Sequence, residues 1–216
     1  VQKKSKLASR AKPFFHEPLH QRLTIAYGLF WLALGMFPKH RFDWFLEQMM
    51  VLLAIYIIAR IYRHVALSNF SWIMVFSFLC LHAIGSHWTY AETPIGFWMA
   101  DWFDWERNHY DRLVHFLFGL MGYWPWREVM AHGLKTKAPD YMTVVVIIAW
   151  SSFYEIVEWV AAIIVEPSAA NAFLGSQGDV FDAHKDTLLA IIGAAIAYSI
   201  VRIWPKWSPK WPGPLK

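Results

Sequence analysis

The sequence predicts an all-α polytopic membrane bundle of six transmembrane helices, with an aromatic interfacial segment between helices three and four. Three observations carry that prediction. Hydrophobic residues make up 57% of the 216 residues and charged residues 17%, against about 45–50% and about 25% in soluble domains. The apolar residues gather in long continuous windows, not in the alternation of a membrane barrel. Backbone in lipid must then bond to itself as helix. Finally, Lys and Arg sort to one side of the windows, as in an oriented membrane protein.

Taken in order, a basic arm over residues 1–21 precedes a membrane domain over 22–204 and a tail over 205–216. The arm opens at Val1, and its charge argues against a cleaved signal peptide in this stretch. The first window, Arg22–Phe37, is short and closed by Pro38. Trp44–Ile61 and Phe70–Trp88 follow. Between the third and fourth windows, Ala91–Tyr110 carries Phe97, Trp98, Trp102, Phe103 and Trp105 among Asp101, Asp104 and Glu106. Mixed aromatic and charged character suits the headgroup layer. The fourth window, Asp111–Met130, contains Pro125, which is expected to bend or end it. Met142–Val165 is long enough to span with tilt, and Thr187–Trp204 completes the six. The tail alternates Trp, Pro and Lys, cannot be regular helix, and is expected to anchor at the cytoplasmic interface. No internal repeat or second domain is evident.

The formal net charge is +4. Because the basic residues lie in short segments between apolar windows, membrane orientation explains them better than nucleic acid, and no nucleic-acid partner is expected. Fifteen of the 20 Lys and Arg fall on the side of both termini, which places the termini in the cytoplasm. Acidic residues sort the other way. Only Glu17, Glu128 and Asp140 of the 16 lie with the cytoplasmic segments. Acids contribute little to topology, so their placement points to a site near the outer face. Cys80, the single cysteine, sits in an apolar stretch and reads as an inert thiol.

Four sets of residues carry the chemistry. In the fifth helix Ser151, Glu155 and Glu158 share a face at i, i+4 and i+7. Two carboxylates one turn apart in hydrocarbon repel unless a proton or cation lies between them. No cationic residue lies within the apolar part of any helix to pair with them. Asp179, Asp182 and Asp186 recur at i, i+3 and i+7 where the sixth helix begins, after Gly175-Ser-Gln-Gly178. Asp111 and His115 open the fourth helix at i, i+4, and His82, Ser86 and His87 end the third. From the helical rise, His82, His115 and Glu158 lie roughly 6–10 Å below the outer helix ends and Glu155 about 15 Å. One layer can hold them all.

Other roles compete for the same residues. Asp111, Asp179 and Asp182 suit helix N-caps equally well. His87 suits the interface, and His109 and His184 suit solvent. A His115–Glu155 hydrogen bond would need no metal. The metal-ligand candidates are His82, Asp111, His115, Glu155, Glu158, Asp179, Asp182 and Asp186. Carboxylates with imidazole suit Zn, Mn or Fe, and an oxygen-only subset suits Mg or Ca. There is no His-Glu-x-x-His or Cys-x-x-Cys pattern, nucleophile elbow or phosphate loop.

Four strings add a resemblance. Tyr90-Ala-Glu-Thr-Pro-Ile-Gly96, Arg107-Asn-His-Tyr-Asp-Arg-Leu-Val-His-Phe116, Ser151-Ser-Phe-Tyr-Glu-Ile-Val-Glu-Trp159 and Gly175-Ser-Gln-Gly-Asp-Val-Phe-Asp-Ala-His-Lys-Asp186 resemble the YjdF-like family of bacterial inner-membrane proteins. The resemblance runs from about Ile25 to Ile203 and implies an inner-membrane location. It supplies no reaction. The chain is more distantly similar to VanZ-like proteins, whose Asp-x-x-x-His motif, intramembrane Glu and downstream Asp pair fall on Asp111 with His115, Glu155 or Glu158, and Asp182 with Asp186. The basic arm and tail fall outside the family pattern, which suggests a partner particular to this protein.

The leading expectation is a membrane metalloprotein with an outward-opening pocket built from helices three to six. As an enzyme it would direct a metal-activated water at a lipid headgroup or isoprenoid-linked substrate. Glu155 or Glu158 would serve as catalytic base, with His115, Asp182 and Asp186 holding the metal. Two other classes stand beside it: a metal or proton carrier using the same residues, and an accessory subunit docking on other membrane subunits through its aromatic loop and tail. The lack of inverted repeats counts against a secondary transporter.

Overall fold

A computed structural model of the chain describes residues 14–164 and 176–205. Most of the basic arm, the stretch containing Val165 and Gly175, and nearly all of the Trp-Pro-Lys tail lie outside the described residues. Seven α-helices and no strand make up what is described: α1 (Pro18–Met36), α2 (Arg41–Tyr62), α3 (Asn69–Trp88), α4 (Pro94–Phe103), α5 (Tyr110–Glu128), α6 (Pro139–Ile164) and α7 (Asp182–Ile203). Each apolar window becomes one helix. Most begin a few residues before the window does, because the polar first turn does not register as apolar.

Four of the helices, α2, α3, α6 and α7, are long and apolar enough to cross a membrane. α1 and α5 fall outside that set. In α5 the cause is visible: Asp111, Arg112, His115, Arg127 and Glu128 share its 19 residues. The aromatic segment has regular structure of its own. It contains α4, a ten-residue helix started by Pro94, with Trp98 67% and Trp102 85% exposed.

Pro125 does not end its helix. α5 runs through it to Glu128, because a proline so near the C-terminus removes a single ladder bond. A π-helical turn, Val129–Gly133, follows at once. Glu128 also seals the start of α3: it accepts the Ser68 backbone N–H at 2.8 Å and the Ser68 hydroxyl at 2.5 Å. The Ser68 Oγ in turn caps the Ser71 N–H at 3.2 Å. Three orphan polar groups at a buried helix end are thereby satisfied.

α5 is the central helix, packed most extensively on α7 and also against α3 and α6, with α1 on the far side of α3. The core between α5 and α7 is made of small residues. Ala190, Ala194 and Ala197 are fully buried beside Tyr123 and Ile147. Gly119 and Gly193 let the two backbones touch: a methyl at either would run into a carbonyl oxygen of the facing helix, Ala190 or Phe116. In lipid, such close approach is a main source of helix–helix attraction. Charges mark the two ends of the bundle. Arg127 and Arg202 meet Asp140 at one, and Lys39, Arg107, Arg112 and Lys185 meet acids at the other.

Candidate functional site

The α5–α7 crossing sets the first turns of both helices side by side. Asp111, Asp182 and Asp186, all buried, bring one carboxylate oxygen each within 4.8 Å of the others. None of the three is spent on capping. The Tyr110 N–H goes to Asn108 Oδ1 at 3.0 Å, and the first residues before α5 and α7, His109 and Phe181, make no side-chain cap. Asp179 is the acid that does close a turn, accepting the Phe181 N–H at 3.1 Å.

One turn below Asp111, His115 Nε2 lies 3.6 Å from Asp111 Oδ1 and 3.4 Å from Glu155 Oε1, which reaches in from α6. Glu155 Oε1 and Asp186 Oδ1 are buried without a hydrogen-bond partner. Glu158 is buried on the same face of α6, toward Tyr154. Ser151 is buried below Glu155, its Oγ also without a partner. Five carboxylates, one imidazole and several unspent lone pairs converge there.

The rim at this end of the bundle is cationic. Arg107 and Arg112 donate to Asp182 Oδ1 at 3.0 and 3.2 Å, and Arg112 and Lys185 both grip Asp179. The Lys185 ammonium, the Phe181 N–H and Arg112 hold the Asp179 carboxyl well below the usual carboxylate range. Two loops lock this rim. Asn108 N–H donates to Gln177 Oε1 at 3.1 Å, and Gln177 Nε2 donates to Asn108 O at 2.8 Å. Asn108 Nδ2 donates to Thr93 O at 2.9 Å, and the Asn108 amide fills the space a side chain at Gly96 would need. The strings around Arg107 and Ser176 therefore act as one latch over the aspartates.

His82 joins a second polar group. Its Nδ1 is hydrogen-bonded to the Tyr90 hydroxyl at 2.5 Å, and its Nε2 lies 3.8 Å from Glu47 Oε2. Glu47 accepts from the Tyr154 hydroxyl at 3.0 Å. The Tyr154 ring then packs edge-on against His115, which makes it the partition between the two groups. His87 turns away to the Leu34 carbonyl at 2.8 Å, and His184 is exposed beside Phe181. His109 is half-buried, with Arg112 Nη1 3.2 Å from its Nδ1.

Sequence reasoning thus named the aspartates, His115 and both glutamates, and missed Glu47, Tyr90, Tyr154 and the two arginines. Glu47 carried a usable signal, an acid inside an apolar window. The tyrosines carried none.

No solved structure matches this chain. The inner membrane protein YjdF of Escherichia coli (strain K12) is 30% identical over 163 residues, which is 74% of this chain and 78% of that protein. The family model described as predicted membrane protein (DUF2238) matches residues 19–207. With the latch strings, the buried carboxylates and four apolar spans inside that match, the chain belongs to the DUF2238 family of predicted membrane proteins.

Proposed function

We propose that the chain is a six-span inner-membrane protein, both termini cytoplasmic, holding a divalent cation among α5, α6 and α7 near its outer face. α1 and α5 complete the six. α5 is enclosed by the apolar spans α3, α6 and α7, so its polar side chains need never meet lipid. The exposed aromatics of α4 suit the outer headgroup layer.

One observation carries the cation: three buried aspartate oxygens within 4.8 Å of one another, with Asp186 Oδ1 left without a partner. Buried lone pairs are rarely left unspent, and carboxylates this close in low dielectric need a proton or a positive charge between them; Arg107 and Arg112 supply one to Asp182, and the proposed cation would supply it to Asp111 and Asp186. Asp111, Asp182 and Asp186 would hold the ion, with His115 and Glu155 next in reach. That mixed set suits Zn, Mn or Fe, and the aspartates alone suit Mg or Ca. A bound ion supplies Lewis acidity and a water of lowered pKa. Glu155, with Oε1 unpaired and facing His115, is placed to take a proton, and the buried Glu158, three residues on, is the alternative base. This favours hydrolysis of a lipid-linked substrate over a passive carrier. In the accessory-subunit reading, the exposed Trp98 and Trp102 would instead meet a partner.

Elemental analysis of protein purified without added metal, beside Asp186→Asn, tests the proposal. Stoichiometric metal in the wild type and background in the variant is expected. Background metal in the wild type overturns the cation and leaves the accessory-subunit reading.

A further inference from the structure

A cavity of about 220 Å³ lies among α2, α3, α5 and α6, against the site just described. Its walls are apolar, formed by residues such as Ile57, Ile61, Met74, Met121 and Trp150. Along α5 its lining runs from Val114 to Trp126, about 18 Å at the helical rise. Only the end near the carboxylates is polar, where His82, His115, Ser151 and Tyr154 line it.

Two of those groups are unspent. His82 is 7% and Ser151 1% exposed, yet His82 Nε2 and Ser151 Oγ have no hydrogen-bond partner. In the tautomer in which the Tyr90 hydroxyl donates to Nδ1, the imidazole proton sits on Nε2 and both groups offer a donor, the arrangement the chain site requires. Water does not suit the rest of the space, because each molecule needs two to four polar partners that the walls lack. Left empty, the walls lose dispersion contacts. At this depth the filler at hand is hydrocarbon. α2 and α6 meet at the Tyr154–Glu47 hydrogen bond and touch little elsewhere, so the gap between them faces the bilayer.

We propose that this cavity takes one hydrocarbon chain of a membrane lipid, with the polar linkage of that chain accepting from His82 and Ser151. The headgroup then lies at the carboxylate cluster. In naming the substrate class of that cluster, the inference rests on the reading above, although the chain site itself needs no ion.

The test is reconstitution in nanodiscs containing phosphatidylethanolamine with a diazirine near the end of one acyl chain, followed by illumination and mapping of adducts. Adducts are expected to concentrate on Met74 and Met121 rather than on the outward-facing Leu52, Ile55 and Tyr56 of α2. Gly122→Leu grows into the cavity, since a Cβ there meets only Phe118 at 3.8 Å. It should cut the inner adducts about tenfold, the effect of about 1.4 kcal/mol of lost packing, and leave the outer ones unchanged. Met121→Trp, a second filler scored on the Met74 adducts alone, guards against misfolding of the first and should cut them alike. Inner labelling no stronger than outer, or unmoved by either filler in folded protein, overturns the chain site. Metal content of the same samples separates the two readings. Background metal with the cavity labelled overturns the ion alone, and stoichiometric metal with the cavity unlabelled overturns the chain alone.

Discussion

Gly119→Ala tests whether the site depends on how closely α5 and α7 approach. A methyl at Gly119 points into the Ala190 carbonyl and the backbone around it. Backbone cannot swing aside as a flexible side chain does, so the helices must separate or rotate. Overpacking costs about 1–3 kcal/mol, and a clash with backbone on the facing helix falls in the upper half of that range; the better helix propensity of Ala returns about 1 kcal/mol. The net loss is about 1–2 kcal/mol. For a chain of this size that lowers the unfolding midpoint by about 2–8 °C. Gly122→Ala is the matched control, since the same methyl one turn on meets only Phe118 at 3.8 Å. Its midpoint should hold or rise. Scanning fluorimetry in one detergent at one scan rate compares them, because unfolding of such proteins is commonly irreversible. Metal content gives a second reading. Gly119 lies one turn below His115, so a displaced α5 carries His115 and Asp111 away from Asp182 and Asp186. Ligand distances tolerate about 0.2 Å, so metal should fall together with stability. A Gly119→Ala protein as stable as Gly122→Ala would refute the close-crossing argument.

A reporter fused after Lys216 should read as cytoplasmic and one inserted near Asp101 as periplasmic; the same compartment for both would end the six-span topology. Ser68→Ala removes the α3 cap and the hydroxyl contact to Glu128 while keeping the backbone N–H contact, so the midpoint should drop by the equivalent of about 1–3 kcal/mol. Because the Asp179 carboxyl is held below its usual value, its contribution is full above about pH 4 and fades as pH falls further. Hydrogen exchange at the Phe181 amide should therefore be faster in Asp179→Asn than in wild type near neutral pH. The difference should vanish in strong acid; a difference that survives there would argue against the rim pairing. Glu155→Gln should lower metal content and leave helix content intact, with wild-type metal weakening as protons compete for the ligands. If both proteins carry only background metal, a hydrogen-bonded His115–Glu155 network is the better account.

The helices were legible in the sequence because apolar windows report the one constraint that lipid imposes everywhere, an internally bonded backbone. Asp111 with His115, Glu155 with Glu158 and Asp182 with Asp186 were legible for a related reason. Helical spacing fixes which residues share a face, and charge is too costly in a span to be accidental. Glu47 was overlooked although it obeys the same rule. It is the one acid in its window, and groups far along the chain, the His82 imidazole and the Tyr154 hydroxyl, reveal what it faces. The clamp of Arg107 and Arg112 on Asp179 and Asp182 was hidden differently. As sequence, those arginines were loop charges on the outer side; their partners follow from α5 lying against α7, which no local pattern encodes. Gly119 and Gly193 carried that pairing, but a helical glycine marks close approach only once the facing helix is known.

The crossing and the carboxylates explain one another. Acids crowded into low dielectric push apart, so a loosely packed pair of helices would splay at the end that carries them. Here Gly119 and Gly193 fix the backbones in contact just beneath the cluster, and the Asn108–Gln177 latch ties the loops above it. Arg107 and Arg112 oppose the repulsion only at the rim, where they meet Asp182 and Asp179. Below them, Asp111, Asp186 and Glu155 are held together by packing. Packing that forces like charges together raises the cost of keeping them ionised, which a proton or the proposed cation would relieve. For such a cation the fold would already have met the cost of assembling the ligands.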